Sequence, residues 1–339
     1  MAVTLRDVAA RAGVSPVVVS RVLHNRAQSI RVSEATAERV RVAAKELGYR
    51  VNVMARAFRQ RQTHMIGVLH GVRFGRPMFN QGSMYFAALM DGIVEGAFRH
   101  EYAVTLCPKL YGHSPEESME DGRFDGLVWY STEPSKENEE MLANCSVPLV
   151  ILHGTAAEGR RHPTVVCDND GGVGFAVNHL FELGHRRIGF ALDRRTLNGE
   201  FLIRYEAFRR HLRRLGVTVT PADLVGIHGG LPEIEEAMLQ KRYTAIFAQE
   251  DDTAGRIMQA AQGLGISVPD ELSIVGFDST PFCDQLRPRL TSVRQPLTEM
   301  GNRAIDLLIQ SIRGETIEQP NVVLPCSLDV RESTAPKAP

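Results

Sequence analysis

The sequence lacks the features that mark membrane proteins and disulfide-stabilised secreted proteins. No apolar run approaches the roughly 20 residues that a membrane-spanning helix needs, and the first residues contain no apolar signal core. The five cysteines among 339 residues are widely scattered, and no Cys-x-x-Cys spacing occurs, which argues against a disulfide framework and a zinc site. We therefore expect a cytoplasmic protein with buried free thiols, no metal and no cofactor.

Motifs of the familiar catalytic sites are missing as well. There is no G-x-S-x-G elbow, no Walker loop and no His-Glu-x-x-His. Gly172-x-Gly174 is an incomplete dinucleotide-binding pattern, because Val177 stands where the third glycine belongs. The acidic run 250–252 is weak evidence for a metal. We expect a protein that is not an enzyme.

Positive and negative charges nearly cancel overall but are unevenly distributed. The formal net charge is −1, yet residues 1–62 carry twelve Lys or Arg against four Asp or Glu, a net of +8 that leaves −9 for the remainder. A basic head on an acidic body is typical of a protein that binds nucleic acid. A merely solvated basic face is the alternative if no DNA-binding motif accompanies it.

Residues 4–23 read as two short helices joined by a tight turn. Thr4 is a good N-cap, and Asp7 three residues later completes a capping box. Gly13 supplies the backbone freedom for the turn. Ser15 caps the second helix, and Pro16 takes its first position, where a missing N–H costs nothing. This pattern predicts a helix-turn-helix, whose second helix enters a DNA major groove.

A third helix follows, opened by Ser33 and closed by Gly48. Together with what lies downstream, the pattern resembles the LacI/GalR family of bacterial transcription regulators, and the resemblance covers nearly the whole chain. The residues that carry it are Thr4, Leu5, Asp7, Val8, Ala9, Ala12, Gly13, Val14, Ser15, Val19, Ser20, Arg21, Val22, Leu23, Leu47, Gly48, Tyr49, Asn52, Ala55, Val275–Asp278 and Leu290–Pro296.

From residue 65 onward, short apolar strand candidates alternate with longer helical patterns. Nearly all-apolar strands in this alternation predict parallel sheets covered on both faces, and their number suits two doubly wound lobes. The predicted fold class is α/β, with an all-α helix-turn-helix domain at the N-terminus. The tail 334–339 is expected to be frayed.

The resemblance implies the domain arrangement, which the pattern alone does not assign. It implies a helix-turn-helix domain over 1–49, a hinge helix and linker over 50–63, and a periplasmic-binding-protein-like body over 64–334. The N-lobe of this body would use about 64–167 and 295–322. The C-lobe would use about 168–294 and 323–334, so that the chain crosses between the lobes three times.

The second helix carries the candidate base-reading residues, since residues early in a recognition helix face the base edges. By resemblance, Pro16 and Val17 most directly select the operator, and Val17 is suited to a thymine methyl. Arg21 is interpreted either as a guanine reader or as a phosphate clamp. Arg6, Ser15 and Ser20 are better placed to position the DNA backbone. Thr4 is a further candidate DNA-binding residue.

Residues 52–58 resemble the family's hinge helix, which lies in the minor groove. Asn52 and the small Ala55 match the family pattern, and Phe58 takes the wedge position that is usually Leu. Phenylalanine is an established minor-groove wedge, although packing on the body is the alternative role. Val51 departs from the usual Pro, and the loop 25–32 carries extra residues, including the basic Arg26 and Arg31.

The cleft between the lobes is the expected effector site, because vicinal hydroxyls call for planar guanidinium and carboxylate partners. Arg204 matches the family's hydroxyl-binding Arg, and Asp278 matches the cleft Asp at a strand end. Glu250 stands where many relatives have Asn, which indicates either an amino-bearing ligand or a pair with Arg204. Three further residues are candidate lining residues, each with a purely structural alternative: His70, Phe74 and His153.

The predicted function is sequence-specific transcriptional regulation, as a repressor whose affinity for operator DNA is controlled by a sugar-like effector. A homodimer is expected, located in the cytoplasm and associated with the nucleoid when bound to its operator. An enzyme and a secreted sugar-binding protein are the two rival classes. The sequence does not decide whether the effector releases the protein from DNA or acts as a corepressor.

Overall fold

The structure is a computed structural model that describes residues 3–23, 32–50, 62–70, 84–106, 119–130, 136–153, 162–192, 199–218, 224–226 and 232–337. Of residues 70, 136–139 and 224–226 it describes the backbone only. The chain forms two compact units, Met1–Thr63 and His64–Pro339. Each unit is described separately below.

The described residues of the first unit form three helices: α1 Leu5–Ala12, α2 Pro16–Leu23 and α3 Glu34–Glu46. Val8, Val19 and Val40 are fully buried, one from each helix, and form the centre of its small core. Each helix is too short to be stable alone in water, so this shared apolar contact holds the three together.

The predicted caps of these helices are confirmed. The Thr4 hydroxyl accepts a hydrogen bond from the Asp7 N–H at 3.4 Å, and the Asp7 carboxylate accepts one from the Thr4 N–H at 2.8 Å. Gly13 ends α1 with φ of 65°, a left-handed conformation that suits glycine. The Ser33 hydroxyl accepts from the Thr36 N–H at the start of α3.

The second unit begins with one lobe and passes into another. The first run consists of β1 Met65–His70, α4 Met84–Arg99, β2 Ala103–Leu106, β3 Gly126–Tyr130, α5 Lys136–Asn144, β4 Leu149–Leu152 and β5 Thr164–Cys167. The second run consists of α6 Asn169–Glu182, β6 Ile188–Leu192, α7 Gly199–Arg214, β7 Leu224–Gly226, α8 Pro232–Leu239, β8 Ala245–Ala248, α9 Asp251–Gly263, β9 Ser273–Asp278, α10 Phe282–Gln285 and β10 Thr291–Arg294. The chain ends with α11 Leu297–Ile312, β11 Asn321–Leu324 and β12 Ser327–Asp329.

These strands form two six-stranded sheets. The N-lobe sheet has the order β11-β5-β4-β3-β1-β2, and every neighbouring pair in it is parallel. The C-lobe sheet has the order β12-β10-β9-β8-β6-β7. The central strands β3, β4, β8 and β9 are buried along their whole length, as expected of sheets covered on both faces. The predicted α/β body with a helical head is confirmed.

The chain crosses between the lobes after β5, after β10 and after β11. Each crossing leaves the carboxyl end of a strand, so the carboxyl ends of both sheets face the junction between the lobes. The last crossing lies between Leu324 and Ser327, slightly later than the boundary near 322 that the resemblance implied.

One strand departs from the predicted parallel arrangement, because β12 pairs antiparallel with β10. Only two residues separate β11 from β12. The chain therefore enters the C-lobe at the junction and runs away from it, whereas the other C-lobe strands run towards it.

The predicted fraying of the C-terminal tail is wrong for residues 334–337. The preceding Ser333 is fully buried; its hydroxyl donates to the Ile274 carbonyl at 2.5 Å and accepts from the Thr291 N–H at 2.8 Å. The Ala335 N–H donates to the Ser273 hydroxyl, and the Lys337 N–H donates to the Leu183 carbonyl. Polar groups of the C-lobe thus satisfy the tail's backbone, which is what keeps a chain end ordered.

Candidate functional site

In the first unit, α2 presents the predicted base-reading residues on the side away from the core. Val19 is fully buried, whereas Pro16 is exposed and Val17 is 63 % exposed. Ser20 and Arg21 are half-buried beside them. Because most of the Val17 side chain is exposed in the free protein, it is available to contact a thymine methyl.

The predicted backbone-positioning residues flank this surface. Arg6 is exposed on α1. The hydroxyls of Thr4 and Ser15 have structural roles as well, since Thr4 closes the capping box and Ser15 accepts from the Val18 N–H at 3.4 Å. Asn52, Ala55, Phe58 and Phe74 lie outside the described residues, and of His70 only its place at the end of β1 is described.

In the second unit, Arg204 is the centre of a buried polar network. It lies on α7, is 3 % exposed, and its guanidinium carbon sits 3.8 Å from the centroid of the Phe277 ring. Its Nε donates to Asn169 Oδ1 at 2.9 Å, and its Nη1 donates to the Gln249 carbonyl at 2.7 Å. A planar guanidinium stacked on an aromatic ring and held by fixed acceptors is well oriented for a polar ligand.

Asp278 ends β9 and faces Arg204, with 3.8 Å between Asp278 Oδ1 and Arg204 Nη1. Its backbone is left-handed in φ, at 115°, which is unusual for a residue with a side chain. Gln295, on the crossing after β10, donates from Nε2 to Asp278 Oδ1 at 2.6 Å. Burial raises the pKa of Asp278 well above its usual value, although Arg204 opposes this shift.

Asp251 holds the turn that carries Asp278. Its carboxylate accepts from the Thr280 N–H at 2.8 Å, from the Thr280 hydroxyl at 3.1 Å and from the Ser292 hydroxyl at 2.5 Å. Burial raises the pKa of Asp251 to about 6 despite these donors. Since Asp278 and Ser279 both have positive φ, these contacts stabilise a strained turn.

Glu250 precedes α9 and does not form the pair with Arg204 that was one of its two predicted roles. Its carboxylate accepts from Gln249 Nε2 at 3.1 Å and from the Thr253 hydroxyl at 3.2 Å. Burial raises the pKa of Glu250, which shows that its surroundings disfavour the charged form.

His153 connects the network to the N-lobe. It follows β4, is fully buried, and its Nε2 lies 2.6 Å from the Tyr85 hydroxyl. Its Nδ1 lies 4.0 Å from Glu200 Oε1 of the C-lobe. Burial lowers the pKa of His153 to about 4, so the ring is neutral near pH 7. The neutral ring accepts the Tyr85 O–H at Nε2 and directs its Nδ1–H towards the Glu200 carboxylate.

Asn169 closes the chain of contacts, since its Nδ2 donates to Glu200 while its Oδ1 accepts from Arg204. The structure thus brings together three predicted residues, Arg204, Asp278 and His153, with Glu250 close by. Five participants were not predicted as site residues: Tyr85, Asn169, Glu200, Asp251 and Gln295. Gln295 belongs to the segment 290–296 that carried the resemblance, which is the one sequence signal that pointed towards it.

The described residues show neither a metal-binding cluster nor a membrane-spanning helix. Within the described part of the chain, no group of three or more His, Cys, Asp or Glu side chains is arranged to hold a metal ion. None of the helices described is long and apolar enough to cross a membrane. The network consists of hydrogen-bonding and charged groups at the junction of two lobes, which is the usual position of a small-molecule site.

A helical head and a two-lobed α/β body with a polar site between the lobes define a class of ligand-binding DNA-associated proteins. A family model for bacterial regulatory proteins of the lacI family matches residues 4–52, and a model for a periplasmic binding protein-like domain matches residues 177–334. The transcriptional repressor CytR of Escherichia coli K12 is 30% identical over 348 residues, covering 98% of this chain and 96% of CytR. The chain belongs to the LacI family, and it is a DNA-binding transcriptional regulator.

Solved structures agree on the architecture. The Lac repressor dimer bound to operator and an anti-inducer matches with a TM-score of 0.82 at 24% identity, covering 99% of this chain and all of that one. The complex of the transcriptional regulator CelR with cellobiose matches with a TM-score of 0.69 at 28% identity, covering 98% and 99%. The first similarity concerns the fold, and the second also shows a related regulator holding a sugar.

Proposed function

We propose that the protein is a repressor whose affinity for operator DNA is controlled by a sugar or sugar derivative bound between its lobes. The observation that carries this proposal is the buried network centred on Arg204. It contains residues of the C-lobe, the N-lobe residue His153 and the crossing residue Gln295. A ligand that binds these groups has different contacts in different lobe arrangements, which is the requirement for coupling to a second site.

The chemistry of the network supports a polyhydroxylated ligand. Arg204 and Asp278 offer a planar donor and a carboxylate side by side, the pair that recognises vicinal hydroxyls. The related regulator CelR holds cellobiose, which favours a carbohydrate here too. The predicted effector set is Arg204, Asp278, Glu250 and His153, with His70 and Phe74 as further predictions.

The α2 surface supports operator binding through Pro16, Val17, Ser20 and Arg21. The roles of Asn52, Ala55 and Phe58 in a minor-groove hinge stay predictions. We infer that a homodimer binds two half-sites, that the protein acts in the cytoplasm, and that it catalyses no reaction.

The test begins with selection of an operator from random duplexes by the full-length protein, followed by binding measured by fluorescence anisotropy at fixed salt. Arg21→Ala is expected to weaken operator binding about 10- to 100-fold, the range for losing one base or phosphate contact. Arg313→Ala is the matched control, because Arg313 is exposed in the second unit and pairs with Glu315. Failure to select any sequence, or an equal loss in both variants, contradicts the proposal.

The part of the proposal that concerns the effector is tested with the same operator. A thermal-shift screen of sugars, amino sugars and sugar phosphates identifies the ligand, and its effect on operator affinity is then titrated. Arg204→Lys keeps the charge but loses the planar fork and its stacking, so the effector's influence on operator affinity is expected to disappear. An effector response that survives this substitution contradicts the assigned site.

A further inference from the structure

One carboxyl group of the network has no ion pair in the described part of the site. The Arg204 guanidinium lies beside Asp278, whereas the half-buried Glu250 has only neutral hydrogen-bond partners among the described residues. His153 adds no positive charge near pH 7, because burial lowers its pKa to about 4. Uncompensated charge at a buried site is costly unless a partner arrives.

Arg204 has other partners. Its guanidinium donates to Asn169 and to the Gln249 carbonyl, stacks on Phe277 and lies beside Asp278. None of these contacts is an ion pair with Glu250. Within the described residues, Glu250 is bound instead by two neutral donors, the Gln249 amide and the Thr253 hydroxyl. The Glu250 carboxylate thus lacks a close countercharge.

A second observation points to a missing donor at the same place. Gln295 is 4 % exposed, and its Oε1 accepts no hydrogen bond from the described part of the chain, whereas the Nε2 of the same amide donates to Asp278. Buried acceptors are nearly always satisfied in folded proteins, so an orphan beside a binding site indicates a donor supplied by the ligand. Glu250 follows β8 and Asp278 ends the neighbouring parallel strand β9, so both carboxyl groups lie at the same edge of the C-lobe sheet. Their oxygens and Gln295 Oε1 are acceptors.

We propose that the effector is an amine-bearing sugar, whose protonated amine is bound by Glu250, Asp278 and Gln295. This inference rests on the proposed function, since it specifies the chemical class of the effector at that site. An ammonium group supplies three donors and one positive charge, which matches an acceptor-rich, acidic site. A hydroxyl at the same position supplies one donor and leaves the carboxylates uncompensated. The unpaired charge therefore selects against neutral sugars, which is how buried charges produce specificity.

The test compares matched ligands on the full-length wild-type protein by isothermal titration calorimetry at pH 7. Each of D-glucose, D-galactose and D-mannose is paired with its 2-amino-2-deoxy counterpart and with the N-acetylated form, which keeps the nitrogen and removes the charge. The free amine of at least one pair is expected to bind about tenfold or more tightly than its neutral and N-acetylated partners, as for one close charge pair.

Glu250→Gln keeps the size and hydrogen-bonding capacity of the side chain and removes its charge. It is expected to reduce the preference for the amine to about threefold or less. Glu206→Gln is the control, because Glu206 is exposed on α7 and pairs with Arg209. The ligand pairs on the wild-type protein decide the question even if the Glu250 variant folds poorly.

Two outcomes overturn the inference, and they are distinguishable. If neutral sugars bind as tightly as their amines, the amine is wrong while the carbohydrate effector stands. If no compound of the series binds, the amine-bearing hexose is overturned, while the thermal-shift screen and operator selection still test the carbohydrate effector and the regulator.

Discussion

At the scale of single residues, the most informative side chain is His153. It is fully buried with a left-handed backbone, at φ of 70°, between a tyrosine of its own lobe and a glutamate of the other. A charged imidazole there would gain attraction from Glu200, but burial outweighs it and lowers the pKa to about 4. The junction between the lobes therefore depends on a neutral histidine.

This burial predicts a pH dependence of stability. The unfolded chain takes up a proton on His153 near its usual pKa of 6.5, whereas the folded protein resists protonation until about pH 4. The stability contributed by the neutral ring is complete above pH 6.5 and is lost as the pH falls through this window. The shift corresponds to about 3 kcal/mol at most. His153→Asn tolerates the left-handed backbone and lacks this titration.

The measurement is the thermal unfolding midpoint of wild type and His153→Asn between pH 4 and pH 8. Relative to wild type, the variant is expected to gain stability as the pH falls. Asp251 and Asp278 titrate in the opposite sense, because their pKa values are raised, but both proteins contain them. His64→Asn is the control, since His64 also has a left-handed φ of 55° and is partly exposed. A stability difference that stays constant with pH contradicts the prediction.

Some residues of the buried network were predictable from the sequence, and others were not. Arg204 and Asp278 were predicted because they lie in segments that resemble the family, and the structure places them 3.8 Å apart. Glu200, Asn169 and Tyr85 carry no local signal, because their role comes from contacts between distant elements. Glu250 left two interpretations open, and only the structure shows that it bonds Gln249 and Thr253 and does not pair with Arg204.

At the scale of elements, the N-lobe depends on the close crossing of α4 and α11. A Cβ on Gly92 would lie 2.0 Å from the Thr298 carbonyl oxygen, and one on Gly301 would lie 2.4 Å from the Leu89 carbonyl oxygen. The Thr298 hydroxyl donates to the Ala88 carbonyl across the same contact. Two glycines thus allow the helix backbones to touch, and α11 in turn covers the sheet that leads to the junction.

We expect Gly301→Ala to destabilise the protein by about 3 kcal/mol, because the backbone of α4 cannot move aside cheaply. Gly263→Ala is the matched control, since Gly263 is the last residue of α9 and nothing lies within 4 Å of its added Cβ. That substitution is expected to be neutral or to stabilise by up to about 1 kcal/mol, from helix propensity. Urea unfolding followed by circular dichroism measures both, and equal stabilities of the two variants contradict the assigned contact.

The direction of one strand and the order of the C-terminal tail were not predictable from the sequence. Apolar strands alternating with helices predicted parallel sheets, and eleven of the twelve described strands fit. The direction of β12 was not predictable from its own residues, because the short connection from β11 determines it. The order of the tail at Ser333 has the same origin, since its partners Thr291 and Ile274 are 40 to 60 residues away in the chain.

At the scale of the whole molecule, the question is how two copies associate. The described face of α4 away from its lobe carries three exposed apolar side chains beside the exposed Asp91, with Phe98 82 % exposed, Val94 50 % exposed and Met84 37 % exposed. These residues recur at helical spacing on one side of the helix. Large apolar side chains aligned in this way on a surface are typical of a protein–protein contact. A second copy is the partner that the predicted homodimer requires.

Introducing a charge on this face tests whether it forms the dimer interface. Phe98→Asp is expected to convert the dimer to a monomer, since burying an unpaired carboxylate in the interface costs several kcal/mol. The monomer binds one half-site at a time and loses the benefit of a linked second contact, so its affinity for the full operator falls 100-fold or more. Its affinity for an isolated half-site is expected to remain unchanged.

Sedimentation equilibrium and fluorescence anisotropy on full and half operators measure these effects. Phe175→Asp is the control, because Phe175 is 51 % exposed on α6 of the other lobe and introduces the same charge. A Phe98→Asp protein that keeps the dimer mass places the interface elsewhere. A monomer that still binds the full operator as tightly as wild type would show that the second half-site adds no affinity. That result would contradict the prediction that dimerisation strengthens operator binding.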